Sequence, residues 1–436
     1  AAGSRSDSAL IAEALQRRWL DAHDEKIAEP AWRADNAGRR ILFWLAYAPM
    51  LISGEDQVHR SRMLNSIART ARHLDSTAHT VRPGVPQLVA WAGIVAAGLA
   101  LPGGEARRSF GEAGLRKALL SCFYADGGTI SRAPAMQAEA IGLLAMLSRI
   151  YTMRKLDTPA WFGETLSVAV PALTALTHGD GGLGSWQGSG ATSAETVAAI
   201  VAASGIRARP LRQARDWGYQ RITAARALLQ VDAAPPPIAR VTDAGCASTL
   251  AFEFSDGPHR IIVNCGGASL AGAIIPADLA FGLRTTAAHS TLTLADQNST
   301  AILPDGTLGK GVTQVEIDRR EVTNDKGGAS RLELSHDGYV KRHGFAHRRL
   351  LILANSGWEL RGEDMLVPQG RKRRHDGLAF AIRFHLGPDV EPSLTADGQG
   401  ALLRLAGGAL WQLRCAGASM RIEDSLWLDR NGRPNP

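Results

Sequence analysis

The chain has 436 residues, 45% apolar and 21% charged, which excludes a disordered protein and exceeds what one ordinary core serves, so two domains are expected. A net charge of +7 favours acidic partners such as nucleic acid, anionic lipid or an acidic polysaccharide. No basic helix with interleaved aromatics is visible, so nucleic acid is not expected, and the widely spaced Cys122, Cys246, Cys265 and Cys415 form no metal knuckle.

From residue 8 to about 228 the apolar residues recur at three- and four-residue spacing, predicting helices over 8–20, 39–52, 61–79, 85–101, 105–123, 135–151, 164–178, 192–203 and 214–229. The longest apolar run, 88–101, falls short of the roughly 20 residues that span a bilayer and reads as a buried helix, so no transmembrane segment is expected. The opening AAGSRSDSAL shows no charged and apolar export signal. Two loops interrupt the helices. In the first, 124–134, Ser131 is placed to cap the next helix, Pro134 sits in its first turn, and Arg132 projects near an anion-favouring helix start. The second, 178–190, is glycine-rich enough for close approach of a ligand, with Trp186 able to stack on a sugar ring.

Pro235, Pro236 and Pro237 mark a stiff linker over 232–237. Beyond it the period changes to two, predicting strands over 249–254, 260–264, 289–294, 313–317, 331–334, 339–342, 347–353, 358–364, 380–385, 401–405 and 410–416. Short strands separated by Asp-Gly and Gly-Gly turns indicate an antiparallel β-sandwich. The basic run 371–374 reads as a solvated hairpin tip. His289 stands just before an alternating Thr-Leu-Thr-Leu run that Asp296, Gln297 and Asn298 close, at the start of a strand.

The stretches AAHSTLTLADQNS (287–299), SHDGYVKRHGFAHRRLLI (335–352), LRGEDML (360–366) and AIRFHLGPDV (381–390) resemble the heparinase II/III-like C-terminal domain. DGGTISRAP (126–134) and HGDGGL (178–183) resemble the amino-terminal part of its bacterial members. The resemblance implies a multidomain α and β protein: an incomplete (α/α) toroid over 1–231, the linker over 232–237 and an antiparallel β-sandwich over 238–436, with a cleft between them. It implies a lyase acting on heparin, heparan sulfate or alginate by β-elimination at a uronic acid. There donors neutralise the C6 carboxylate, a base removes the C5 proton and an acid protonates the leaving oxygen.

By the same resemblance His289 is the first catalytic candidate, Arg132 the carboxylate neutraliser, and Tyr339 a substitute acid or base. Trp186, Gln187, His178, Arg284 and Asn298 are expected substrate contacts. A structural zinc or calcium ion is expected at His336 and Asp337, with no other cofactor. Family habit implies the periplasm, otherwise the cytoplasm. The chain departs from the family pattern in carrying Ala133 where relatives have asparagine, and in lacking a tyrosine in the glycine-rich loop. The alternative expectation is therefore a non-catalytic acidic-glycan-binding protein. A hydrolase would instead need two carboxylates across a cleft, and Glu139 and Asp180 are the available pair.

Overall fold

A computed structural model describes residues 7–52, 54, 56–268, 275–324, 327–369, 377–429 and 432–435, and the basic run 371–374 lies outside them. The chain divides into two compact units, Ala1–Phe123 with Glu139–Leu166, and Tyr124–Ala138 with Ser167–Pro436.

The first unit is helical: α1 (Asp7–His23), α2 (Ala34–Ala46), α3 (Ala48–Leu51), α4 (Gln57–Thr77), α5 (Val85–Ala100) and α6 (Glu105–Cys122). The boundary between units falls within α7 (Pro134–Met153) and α8 (Ala160–Ala175). The run expected to be a buried helix is α5, whose residues from Leu88 to Leu99 are all buried. Small residues let its neighbours approach. A methyl on Gly38 of α2 would stand 2.5 Å from the Val89 carbonyl oxygen of α5, and one on Gly93 of α5 would stand 2.9 Å from the Gly38 Cα. Overpacking of this kind costs about 1–3 kcal/mol, more than the roughly 1 kcal/mol that alanine gains over glycine in a helix. Gly38→Ala is therefore expected to lower the melting temperature despite its better helix propensity. Among the described residues no helix is long and apolar enough to cross a membrane.

In the second unit α9 (Ala194–Ser204) is capped by Ser193, whose Oγ accepts the Thr196 N–H at 3.3 Å, and ends at Gly205 in the left-handed region. The helix expected over 214–229 is instead β1 (Gln213–Ala214), β2 (Tyr219–Ala224) and β3 (Ala227–Asp232), turning at Ala225 with φ +49°. Every residue of β3 is buried. A strand covered on both faces shows no period of two, so its apolar run reads as a helix. The strands thus begin ahead of the proline run.

They continue as β4 (Phe252–Asp256), β5 (His259–Val263), the short α10 (Ala277–Gly282), β6 (Leu292–Leu294), β7 (Val315–Asn324) and β8 (Gly327–His336). A helical turn, α11 (Val340–His343), replaces the strand expected over 339–342 and closes at Gly344, φ +77°. After it come β9 (Phe345–Ala354), β10 (Leu360–Pro368), β11 (Phe380–Ile382), β12 (His385–Leu386), β13 (Val390–Leu394), β14 (Gly400–Leu405), β15 (Leu410–Arg414), β16 (Trp427–Leu428) and β17 (Pro434–Asn435).

A six-stranded sheet runs β1-β2-β3-β4-β5-β12, a four-stranded one β10-β9-β8-β7 and a three-stranded one β13-β14-β15, all antiparallel. One apolar core joins them. Leu229, Val231, Phe252 and Phe254 of the first meet Leu332, Leu334, Leu351 and Leu353 of the second and Leu403 and Leu405 of the third. The opposite face of β3 and β4 is also buried, and it is polar.

Candidate functional site

That polar face is built by strand register. Gln230 on β3 sits opposite Glu253 on β4, and Asp232 opposite Tyr219 on β2. The loops 124–134 and 178–190 bond to it. Arg132, in the left-handed region at φ +56°, is 2% exposed. Its Nε donates to the Trp217 carbonyl (2.7 Å), Nη1 to that of Pro235 (3.0 Å), and Nη2 to Gly218 O (3.0 Å) and Asp232 Oδ1 (2.5 Å). The guanidinium lies 4.8 Å above the Tyr219 ring, whose hydroxyl donates to the Arg132 carbonyl at 2.6 Å. Burial works against the charge, but the Asp232 carboxylate outweighs it and raises the arginine's pKa further. Arg132 is thus a structural cation turned away from the helix start. The first N–H groups of α7 are served otherwise: Ala135 N–H donates to Ser189 Oγ at 3.0 Å.

Asp232 holds the second loop as well. Its Oδ2 accepts from Ser248 Oγ (2.6 Å) and Gln187 Nε2 (3.0 Å), while Gln187 Oε1 accepts the Cys246 N–H (2.9 Å). Trp186 is 0% exposed and donates its indole N–H to Gln230 Oε1 at 3.2 Å. His178 donates from Nε2 to Glu253 Oε2 (2.7 Å) and accepts from Ser255 at Nδ1 (3.1 Å), so the neutral ring satisfies both neighbours. Burial, joined by the Arg260 charge, lowers its pKa. Burial pushes Glu253 up, but His178, Arg260 and the N–H groups of Ser185 and Asn264 prevail and keep it ionised. Asp232 and Glu253 escaped the sequence reading. The signal was a lone glutamate inside the apolar strand Ala-Phe-Glu-Phe.

His289 follows a single helical turn over Thr286–Ala288 rather than opening β6, and is 1% exposed. Its Nδ1 stands 2.7 Å from the Thr285 carbonyl oxygen, which only accepts, so Nδ1 carries the proton. Burial lowers its pKa, leaving a neutral ring whose Nε2 bears a lone pair, the form a general base requires. Next to it, Ser290 N–H donates to Asn264 Oδ1 (3.0 Å), tying the histidine segment to the Glu253 network. Arg284 donates from Nε to Gly245 O at 2.9 Å, while its Nη2 has no partner among the described residues. Asn298 accepts the Thr286 N–H at 2.8 Å and so braces the same turn.

Of the remaining expected residues, Glu139 belongs to the first unit and the others to the second. Tyr339 is fully buried, donates to the Leu292 carbonyl at 2.9 Å, and is pushed by burial well above its ordinary pKa. His336 ends β8 and is buried, and Asp337, the next residue, is half-buried outside the strand. His336 accepts the Gly338 N–H at Nδ1 (3.0 Å) and donates from Nε2 to His347 Nδ1 (3.3 Å). Asp337 accepts the N–H groups of Thr313 (2.8 Å) and Gln314 (3.1 Å). The two do not converge, so the pair does not fit a metal. Among the described residues no group of three His, Cys, Asp or Glu side chains is suited to hold one. Glu139 is engaged by Arg39 at 2.6 Å and Asp180 by Arg260 at 2.8 Å.

Comparison with known proteins places this architecture. The chain is 29% identical over 419 residues to FtsZ-localized protein C of Caulobacter vibrioides, covering 92% of this chain and 69% of that one. Among solved structures it is similar to a heparinase III, with a TM-score of 0.73 at 12% identity, covering 97% of this chain and 69% of the other. It also resembles a mutant of the heparan sulfate lyase HepC from Pedobacter heparinus, with a TM-score of 0.64 at 15% identity, covering 98% and 68%. These likenesses show the fold, a helical amino-terminal region followed by antiparallel sheets. The family described as Heparinase II/III-like, C-terminal, is matched over residues 206–436, starting just ahead of β1, and the chain belongs to that family.

Proposed function

We propose that the chain is a non-catalytic member of its family that acts at an FtsZ-containing assembly, as the name of its Caulobacter relative indicates for that protein. One observation carries this reading. Of the side chains expected to meet the sugar or react with it, Arg132, Trp186, Gln187, His178 and Tyr339 are 2, 0, 1, 3 and 0% exposed and each is bonded within the protein, while Arg284 and Asn298 are half-buried. β-Elimination needs donors facing the C6 carboxylate, and Asp232 already occupies Arg132. Ala133 offers no amide, and the Tyr339 phenol already donates to a backbone carbonyl. The four cysteines stand unpaired, in keeping with the reducing cytoplasm rather than the periplasm.

A second reading, the uronate lyase, is favoured by the stretch 284–289, which carries both the Arg284 Nη2 without a partner and the His289 Nε2 lone pair. One pair of assays separates the readings. Incubation with heparin, heparan sulfate and alginate is expected to give no absorbance from a new C4–C5 double bond, while the chain pellets with polymerised FtsZ. A rising absorbance that His289→Ala abolishes establishes the lyase instead. Retention on an immobilised acidic glycan, without absorbance and without pelleting, points to a glycan-binding protein.

A further inference from the structure

We infer that the amino-terminal part of α1 is a latch on the helical first unit, docked while His59 is neutral and released when that imidazole takes up a proton. The latch belongs to the first unit alone and does not rest on the function proposed above.

The helix docks by its polar side. Over residues 7–18 it buries Ala9, Glu13 and Gln16, while Leu10, Ile11 and Leu15 stand 51, 61 and 58% exposed. Ala9 is the one buried apolar side chain of that stretch, so lifting it returns little apolar surface to water. Arg17 meets Asp56 at 2.9 Å and Arg62 meets Asp21 at 2.9 Å, but all four side chains are more than a third exposed, where ion pairs contribute little. The carboxyl-terminal end is anchored differently. Leu20 is fully buried, the Arg40 guanidinium lies 4.0 Å from the Trp19 ring centroid, and Trp32 donates its indole N–H to the His23 carbonyl at 2.7 Å. Arg69 adds a bond to the Glu25 carbonyl at 2.9 Å. The hinge therefore falls near Arg18 and Trp19.

The buried polar groups favour the lifted state. Gln16 is 4% exposed, and neither atom of its amide has a partner among the described residues. His59, in the first turn of α4, is 3% exposed, and neither ring nitrogen has a partner there either. Its backbone N–H caps onto Asp56 Oδ1 at 3.0 Å and leaves the ring nitrogens unserved. Sealing such atoms from water costs free energy that hydration on opening restores.

His59 makes the balance depend on pH. The charges around its ring are Glu13 and Arg17 of α1, Asp56 just ahead of α4, and Arg62 of α4. Burial, joined by the Arg17 charge, outweighs the two carboxylates and lowers its pKa, so the docked ring is neutral. Lifting residues 7–18 removes the cover and Arg17 together, and the ring returns to its ordinary 6.5. The open form then binds the extra proton. Docking is at full strength above about pH 6.5 and weakens as the pH falls below it.

Amide hydrogen exchange of the full chain reads the latch, with α5 of the same unit as reference. At pH 7.5 the amides of residues 11–18 are expected to be at least about a hundredfold less protected than those of α5. At pH 6.0, after correction for the intrinsic exchange rate, their protection is expected to fall by about a further threefold, the effect of one group with an ordinary pKa of 6.5. His59→Leu, which removes both ring nitrogens at similar volume, is expected to raise α1 protection about fivefold or more and to abolish its pH dependence. Gln16→Leu is expected to raise protection by about the same factor and to keep the pH dependence. Protection of α1 equal to that of α5, no change between the two pH values in the parent, or a pH dependence that survives His59→Leu overturns the inference. So does lower α1 protection in either variant, which would mean that water held in the seam already satisfies these atoms while α1 is docked.

Discussion

Asp232→Ala is expected to destabilise the second unit by about 3–5 kcal/mol, the usual cost of removing one partner of a buried ion pair. The size follows from what remains. Arg132 is 2% exposed and cannot lose its proton, so its charge would stay buried against four backbone carbonyls with no counter-ion. Ser248 and Gln187 would lose the acceptor that holds the glycine-rich loop to β3. The double replacement Arg132→Met with Asp232→Leu is expected to recover most of the loss, because it removes both charges at similar volume. Urea unfolding followed by circular dichroism reads both. If Asp232→Ala changes stability by less than about 1 kcal/mol, the pair is a solvated one and Arg132 regains its claim as a substrate contact.

The same pair shows why the site was harder to read than the fold. Elements with one dry and one wet face announce themselves. Along β8 buried residues alternate from Ser330 to His336, and α4 buries Met63, Ile67, Ala71 and Leu74 at helical spacing. Where both faces are covered the period vanishes, as along β3, whose run Ala-Leu-Leu reads as the end of a helix. The Thr-Leu alternation after His289 located the histidine, but the Thr285 carbonyl that fixes its tautomer is set by a helical turn no periodicity reveals. Arg132 looked like an anion-binding residue because local sequence placed it near a helix start. Its partner lies 100 residues away, and only the folded register of β3 brings Asp232 beneath it.

Acidification is expected to unfold the second unit well before its carboxylates titrate. His178, His289, His336, His347 and His385 all have pKa values pushed down by burial, His385 to about 4. Each is neutral when folded and free to take a proton near its ordinary 6.5 when unfolded. The unfolded chain then binds more protons, so the stabilisation is complete above about pH 6.5 and is lost as the pH falls toward the folded values. Each such histidine adds a slope of up to roughly 1.4 kcal/mol per pH unit. The tautomers leave little escape. The Gly338 N–H donates to His336, His336 donates to His347, and His347 donates to Asp364 at 2.7 Å, so a proton added to His336 breaks the Gly338 contact and faces the Arg349 charge. Asp364 behaves differently. Burial would raise it, but Arg349 and His347 hold it well below the usual carboxylate range, so its contribution is lost only at far lower pH. A melting temperature that falls steeply between pH 6.5 and 4 is therefore the expected result, with a slope shallower by about one proton in His336→Gln. A profile flat to pH 4 would mean that these histidines take up protons while folded, with water reaching rings that stand here at 0–3% exposure for His178, His289, His336 and His347.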